Sequence, residues 1–252
     1  MDFTISIYKK LLEELLHAGY SFQTFELFIE SPENRVVVLR HDVDRLPENA
    51  LKIAKIENEF NVPASYYFRV VNNVWDKQIM KKIVTNGHEI AYHYEDLALK
   101  KGVYKDAITH FERQLKRFRL IYPVQTICMH GSPLSSYDNR KLWDIYDYKN
   151  YGIIAEPYFD VNFDEVLYLT DTGRGWNKSS VSVRDKVQSN FNYNFNSTQD
   201  IINNIEILPD KIMINTHPQR WNDKSFLWIK ELVMQSIKNA IKRHMFVKNW
   251  FF

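Results

Sequence analysis

A seven-unit α/β barrel, one unit short of the eight-fold form, is the fold this 252-residue chain predicts. Three observations point to it. Apolar runs of strand length alternate with segments of helical periodicity, the pattern of βαβ units and a parallel sheet. The strongest run, Val36-Val37-Val38-Leu39, is β-branched and aliphatic without alternation, as in a parallel strand covered on both faces. Polar clusters recur just after these runs, where parallel α/β folds collect their chemistry.

In chain order, Leu11, Leu12, Leu15 and Leu16 form an apolar stripe among Lys and Glu, which predicts an amphipathic helix in a helical lead-in over 1–34. Strands are predicted near 35–41, 64–70, 88–93, 125–130, 151–155, 166–170 and 211–216. Helices are predicted near 47–60, 76–86, 103–120, 137–149, 197–206 and 223–244. The Asn-rich stretch 190–196 reads as a surface loop. No repeat or Pro/Gly/Ser-rich linker divides the chain, so residues 1–252 read as one domain, with an open sheet as the alternative to the barrel.

Charge and composition exclude several classes. Thirty-three basic residues balance 31 acidic ones, leaving +2 and no electrostatic footprint for nucleic acid. The single cysteine, Cys128, excludes an intrachain disulfide and a cysteine-rich zinc site; in Thr126-Ile127-Cys128-Met129 it reads as a small buried hydrophobe. No apolar run approaches membrane-spanning length, and the amino terminus lacks a signal-peptide pattern, so a cytoplasmic location is expected. The terminal Trp250-Phe251-Phe252 reads as an internal packing element or a subunit contact.

Candidate chemistry begins at Arg40-His41-Asp42-Val43-Asp44. Residues two apart in extended chain point the same way, about 6.5 Å apart. One carboxylate could hold a metal while the other handles a proton. The alternative is that Asp44 caps the helix entered near Pro47. Other strand ends offer His88 through Asp96, His130, Asp171 through Trp176, and His217 through Trp221. His88 and His93 are five apart, which sends them to opposite faces of a strand and about 140° apart on a helix. His93, beside Glu95 and Asp96, is the better site residue, and His88 the structural one.

The order of these clusters resembles the polysaccharide deacetylases, the nodulation-type carbohydrate esterases, whose members adopt a distorted barrel of seven βα units. Arg40-His41-Asp42-Val43-Asp44 looks closer to the branch that deformylates lipid-linked aminoarabinose, in which the two carboxylates are also split by one residue, than to the typical Thr-Phe-Asp-Asp-Gly motif. The resemblance implies Asp42 as general base, Asp44 and His93 as metal ligands, and His217 as the acid that protonates the leaving amine. Gly87-His88-Glu89-Ile90-Ala91-Tyr92-His93 matches the second family motif, but the usual second histidine is Leu97 here. Glu95, Asp96 or His130 could complete a three-ligand site; His130 ends the neighbouring strand, and imidazole suits zinc. The usual Arg-Pro-Pro-Tyr run is absent, its place taken by Met129-His130-Gly131-Ser132-Pro133. Asp171 and Trp176 resemble a site-walling motif; Arg40 or Arg174 could orient the base or form a salt bridge on the barrel rim, and Trp176 and Trp221 could stack on a sugar or be buried under a loop.

The resulting expectation is a zinc- or other divalent-metal-dependent hydrolase that removes an N-acyl group, acetyl in the first instance, from a sugar or precursor of a surface glycan. Two alternatives stand beside it: an inactive relative that binds a glycan or a partner protein, and a metal-free glycosidase using two carboxylates about 5–10 Å apart.

Overall fold

The computed structural model describes residues 1–176 and 184–248, with 242–248 as helix backbone only. Its centre is strand β2 (Val36–Val43), buried at every position. Strand β1 (Ser21–Gln23) lies beside the first half of β2, and β3 (Ser65–Phe68) beside the second half. Outward from β3 follow β4 (Glu89–Tyr94) and β5 (Ile127–Met129); on the other side of β2 lie β7 (Lys211–Thr216) and then β6 (Leu167–Thr170). Every pairing is parallel. The sheet curls into a half-barrel with helices around it, as the seven-unit barrel reading expects.

Alternation along the strands sorts the two faces. Val36, Val38, Tyr67, Ala91, Cys128, Tyr168 and Met213 pack together in one apolar cluster, on the inside of the curl. Leu39, Tyr66, Ile90, Ile127 and Ile214 belong to a second, larger cluster shared with the helices. Helix α1 (Ile5–His17) buries Tyr8, Leu11, Leu12 and Leu15 on one face, and its first turn is capped by Thr4, whose hydroxyl accepts from Ile7 N at 3.2 Å. Each such fully buried leucine contributes about 1.5–3 kcal/mol of hydrophobic stabilisation. Helices α3 (Pro47–Glu59), α4 (Lys77–Thr85) and α6 (Tyr104–Arg119) repeat the pattern; α6 buries Ile108, Phe111, Leu115 and Phe118 at three- and four-residue spacing.

Three expectations fail locally. The lead-in is not only helical: β1 lies within it, three residues long and too short for periodicity to reveal, followed by α2 (Phe25–Glu30). No strand forms over 151–155. Tyr148–Tyr151 is a 3₁₀ helix closed by Gly152 at φ +67, and only Ala155 then bridges to Thr126 before Pro157 opens α7 (Pro157–Asp160). The helix predicted over 137–149 is instead two 3₁₀ turns, Asn139–Asp144 and Tyr148–Tyr151, each started by an aspartate, Asp138 and Asp147, that caps its own turn. The chain completes with α5 (Asp96–Leu99), α8 (Thr198–Asn203) and α9 (Ser225–Lys248). Residues 190–196 form no helix or strand, although Phe195 is buried. The Trp250-Phe251-Phe252 terminus lies outside the described residues. Among the described residues no helix is long and apolar enough to cross a membrane.

Candidate active site

Parallel strands bring their C-terminal ends to one end of the half-barrel, so side chains far apart in sequence meet there. Register decides which ones. Arg40, with Asn215 beside it on β7, and Asp42 share the strand face of Val36 and Val38. His93 on β4 shares the face of Ala91 and lies beside Cys128 on β5. His88 falls on the other side of β4: its Nε2 lies 2.8 Å from Ala54 O, and its Nδ1 accepts from Ala64 N. Beyond Val43 the chain turns tightly, Asp44 N donating to Asp42 O at 3.1 Å, which swings the Asp44 carboxylate over the strand ends. Asp44 is not a helix cap, since Leu46 is the N-cap of α3 and no side chain caps that end.

Around Asp44 three imidazoles converge. His130 Nε2 lies 3.4 Å and His93 Nε2 3.7 Å from Oδ1, and His217 Nε2 lies 3.8 Å from Oδ2. Each Nδ1 is engaged elsewhere: His93 donates to Cys128 O at 3.0 Å, His130 to Glu95 Oε2 at 3.0 Å, and His217 to Asp171 Oδ1 at 2.6 Å. These partners select the tautomers that leave every Nε2 turned toward Asp44. Burial opposes ionisation of Asp44, but His130, His217 and His93 more than offset it and hold its carboxyl well below the usual range. Burial pushes the His93 imidazole down to about 4 despite Asp42 and Asp44 nearby, so it is neutral at pH 7 and its lone pair is available.

Asp42 faces the same space. Its Oδ2 accepts from Asn215 Nδ2 at 2.9 Å and lies 3.5 Å from Arg40 Nη2 and 3.9 Å from His93 Nε2. Among the described residues, Asp42 Oδ1 and Asp44 Oδ1 are both buried without a hydrogen-bond partner. A buried carboxylate oxygen left open is costly unless a ligand completes it. Asp44, His93 and His130 each place one ligating atom within 4.8 Å of the others, a carboxylate–imidazole–imidazole set suited to a divalent ion.

The supporting contacts are equally specific. Glu95 receives two bonds from Arg69, both 2.8 Å, as well as that from His130. Burial opposes its ionisation, and His130 and Arg69 outweigh it. Glu95 thereby orients an imidazole and is not itself turned to Asp44. Asp96 is bonded to Tyr92 and His110, and Leu97 is buried in the outer apolar cluster. Asp171 is fully buried, receiving bonds from His217 N at 3.0 Å, Trp221 Nε1 at 2.9 Å, and Arg220. Burial is outweighed there by Arg220 and His217, and the carboxyl stands at about 2.

Several residues expected to meet a substrate do not line the cleft. Arg40 is wholly buried beneath Asp42, donating to Tyr168 OH at 2.9 Å and ringed by Tyr67, Tyr158 and Tyr168. Asp171 lies behind His217. Trp176 and Trp221 pack against Phe3 and each other, and Tyr8 also meets Trp221; Arg174 is buried against Phe3 and Trp228. A tryptophan so enclosed has no face left for a sugar, because α1 and the segment before it cover it.

The cleft above the three imidazoles has a volume of about 820 Å³, and its walls include Arg69, Leu134, Tyr137, Tyr158, Asp185 and Lys238. No motif had singled out Asp185. Its carboxylate accepts from Tyr158 OH at 2.9 Å, Tyr168 OH at 2.5 Å, Thr170 Oγ1 at 2.8 Å, and Thr172. Next to it, Arg184 donates to Gly131 O at 2.6 Å, Ser132 O at 2.9 Å and Ser135 O at 2.9 Å, tying residues 184–185 across the cleft.

No protein-family model and no curated protein matches the chain. Among solved structures, 90% of the chain aligns with 90% of a CE4 (carbohydrate esterase family 4) esterase of Streptococcus mutans, at 15% identity and a TM-score of 0.47. It also aligns over 86% of its length with 85% of the CE4 domain of a multidomain xylanase from the hindgut metagenome of Trinervitermes trinervoides, at 14% identity and a TM-score of 0.42. A third alignment covers 82% of the chain and 62% of a CE4 family pseudoenzyme from Bacillus anthracis, at 12% identity and a TM-score of 0.44.

Proposed function

We propose that the chain is a divalent-metal-dependent hydrolase that removes an N-acyl group from a sugar, with acetyl as the first acyl group to test and a glycan precursor as the substrate. The observation that carries this reading is the open, buried Oδ1 of Asp44 facing the Nε2 atoms of His93 and His130, whose Nδ1 atoms are already occupied. Asp44, His93 and His130 would hold the ion, zinc being the metal that donor set suits best. A bound divalent ion supplies polarisation of the acyl carbonyl and a lowered pKa for water, to about 7.

The remaining work falls to side chains. Asp42 accepts the proton of the attacking water through its free Oδ1, while Asn215, donating to Oδ2, and Arg40, 3.5 Å from it, hold the carboxylate in place. His217 donates from Nε2 to the departing nitrogen, and Asp171 stabilises the imidazolium that must form first. Glu95 fixes His130 as a carboxylate–histidine pair. A glycosidase would instead need one carboxyl held protonated as an acid. Asp44 is held the other way.

Metal content and amine release from N-acetylated chito-oligosaccharides test the proposal. Near-stoichiometric divalent ion is expected in the wild type and is lost in Asp44→Ala and His93→Ala, together with turnover. Wild-type protein that stays metal-free after reloading with zinc would sink the reading.

A further inference from the structure

Helix α9 is amphipathic in the reverse sense. At about 100° per residue, Trp228, Glu231, Gln235 and Asn239 form one face. That face meets the body: Trp228 Nε1 donates to Asp2 O at 2.7 Å, Arg45 donates to Glu231 at 3.0 and 3.1 Å, and Asn239 donates to Gly173 O at 2.8 Å. The opposite face carries Phe226, Ile229, Val233, Ile237 and Ile241, exposed by 76%, 53%, 51%, 56% and 50%. Surface helices normally bury their apolar stripe. Here polar residues turn inward, and five large apolar side chains face water.

We propose that α9 docks on an anionic membrane surface, with this stripe set into the headgroup boundary. Charge decides against a second copy as the occupant. Among the described side chains of residues 223–241, three are basic and exposed, Lys224, Lys230 and Lys238, against two acids, Asp223 and Glu231. Glu231 is already paired to Arg45. Lys230 stands inside the stripe, four residues after Phe226 and three before Val233, and it is exposed. Packing two such helices together opposes like charges and dries Lys230, which costs free energy. An anionic headgroup layer neutralises the same charges while accepting the apolar stripe. Lys238 and Ile241 also line the cleft, so a docked α9 places the cleft mouth beside the lipid–water boundary.

The test uses the full-length protein, co-sedimented with vesicles of phosphatidylglycerol and phosphatidylcholine or of phosphatidylcholine alone. The variants are Lys230→Glu and the double substitution Val233→Glu with Ile237→Glu. All three positions face solvent, and circular dichroism melting verifies that the variants fold. Wild type is expected to partition onto the anionic vesicles, and raised salt to weaken it. Partition is expected to fall about tenfold or more on phosphatidylcholine alone and in the double variant. Absence of wild type from anionic vesicles, or equal partition of the double variant, overturns the proposal. A wild-type dimer in light scattering that the double variant dissolves, without vesicle binding, assigns the face to a second copy and likewise overturns it. Neither readout involves the metal centre.

Discussion

Replacing Glu95 with Gln is the sharpest probe of whether His130 is a metal ligand. The carboxylate accepts four contacts: Arg69 Nε on Oε1, and Arg69 Nη2, His130 Nδ1 and Ser132 Oγ on Oε2. Every orientation of an amide sets its NH₂ against at least one of these donors. If the amide oxygen keeps His130, the NH₂ opposes Arg69 Nε; if it keeps Arg69 Nε, His130 loses its acceptor. At least one charge-assisted hydrogen bond is lost either way, each worth about 1.5–3 kcal/mol. Arg69 is partly exposed and water recovers part of its share. The loss felt through His130 is the orientation and basicity of a ligand, for which outer partners are typically worth about 10–100-fold in metal affinity. That range corresponds to about 1.4–2.7 kcal/mol. Competition with a chromogenic zinc chelator at pH 7 measures it directly, and a urea melt with EDTA separates folding from binding. Zinc affinity within a factor of about two of wild type in Glu95→Gln, beside lost binding in Asp44→Asn, would refute the placement of His130 in the ligand set.

Three further outcomes follow from contacts already described. His217→Ala is expected to lower kcat by about 10²–10⁴ while metal stoichiometry stays intact, measured by plasma mass spectrometry and single-turnover kinetics; loss of metal would make His217 a ligand instead. Trp176→Ala is expected to cost about 3–5 kcal/mol in a urea melt and leave KM unchanged, because the indole packs on Phe3 and donates to Thr198; a raised KM at unchanged stability would restore a sugar-stacking role. Burial pushes the Glu156 carboxyl up to about 7 from 4.5, so the folded state holds the extra proton between those values. Stability from this group is complete below pH 4.5 and declines as pH rises through 7, by about 3 kcal/mol in all. Glu156→Gln flattens that slope in melts taken from pH 4.5 to 8, and an unchanged slope counts against the assignment.

Much of this architecture was readable from residue order, for local reasons. The unalternating run at Val36–Leu39, the helical stripe of α1, and the strands ending near His93, His130 and His217 follow from periods of 2 and 3.6 and from flanking polar clusters. Spacing alone also places His88 and His93 on opposite faces of β4. What local pattern could not carry was anything set by neighbours distant in sequence. Trp176 and Trp221 look like sugar platforms until Phe3 and Tyr8, more than 160 residues away, are seen covering them. Glu95 looks like a ligand until Arg69 and His130 claim its oxygens. The strand expected over 151–155 gives way to a single bridge between Gly152 and Pro157, where too little chain remains for a ladder. Covalent spacing dictates which way a side chain points from its own element, because backbone geometry repeats. Which partner it finds, and whether a polar group is consumed or left open, depends on packing between strands and helices brought together only by the fold. The open Oδ1 of Asp44 and the outward stripe of α9 are both facts of that second kind.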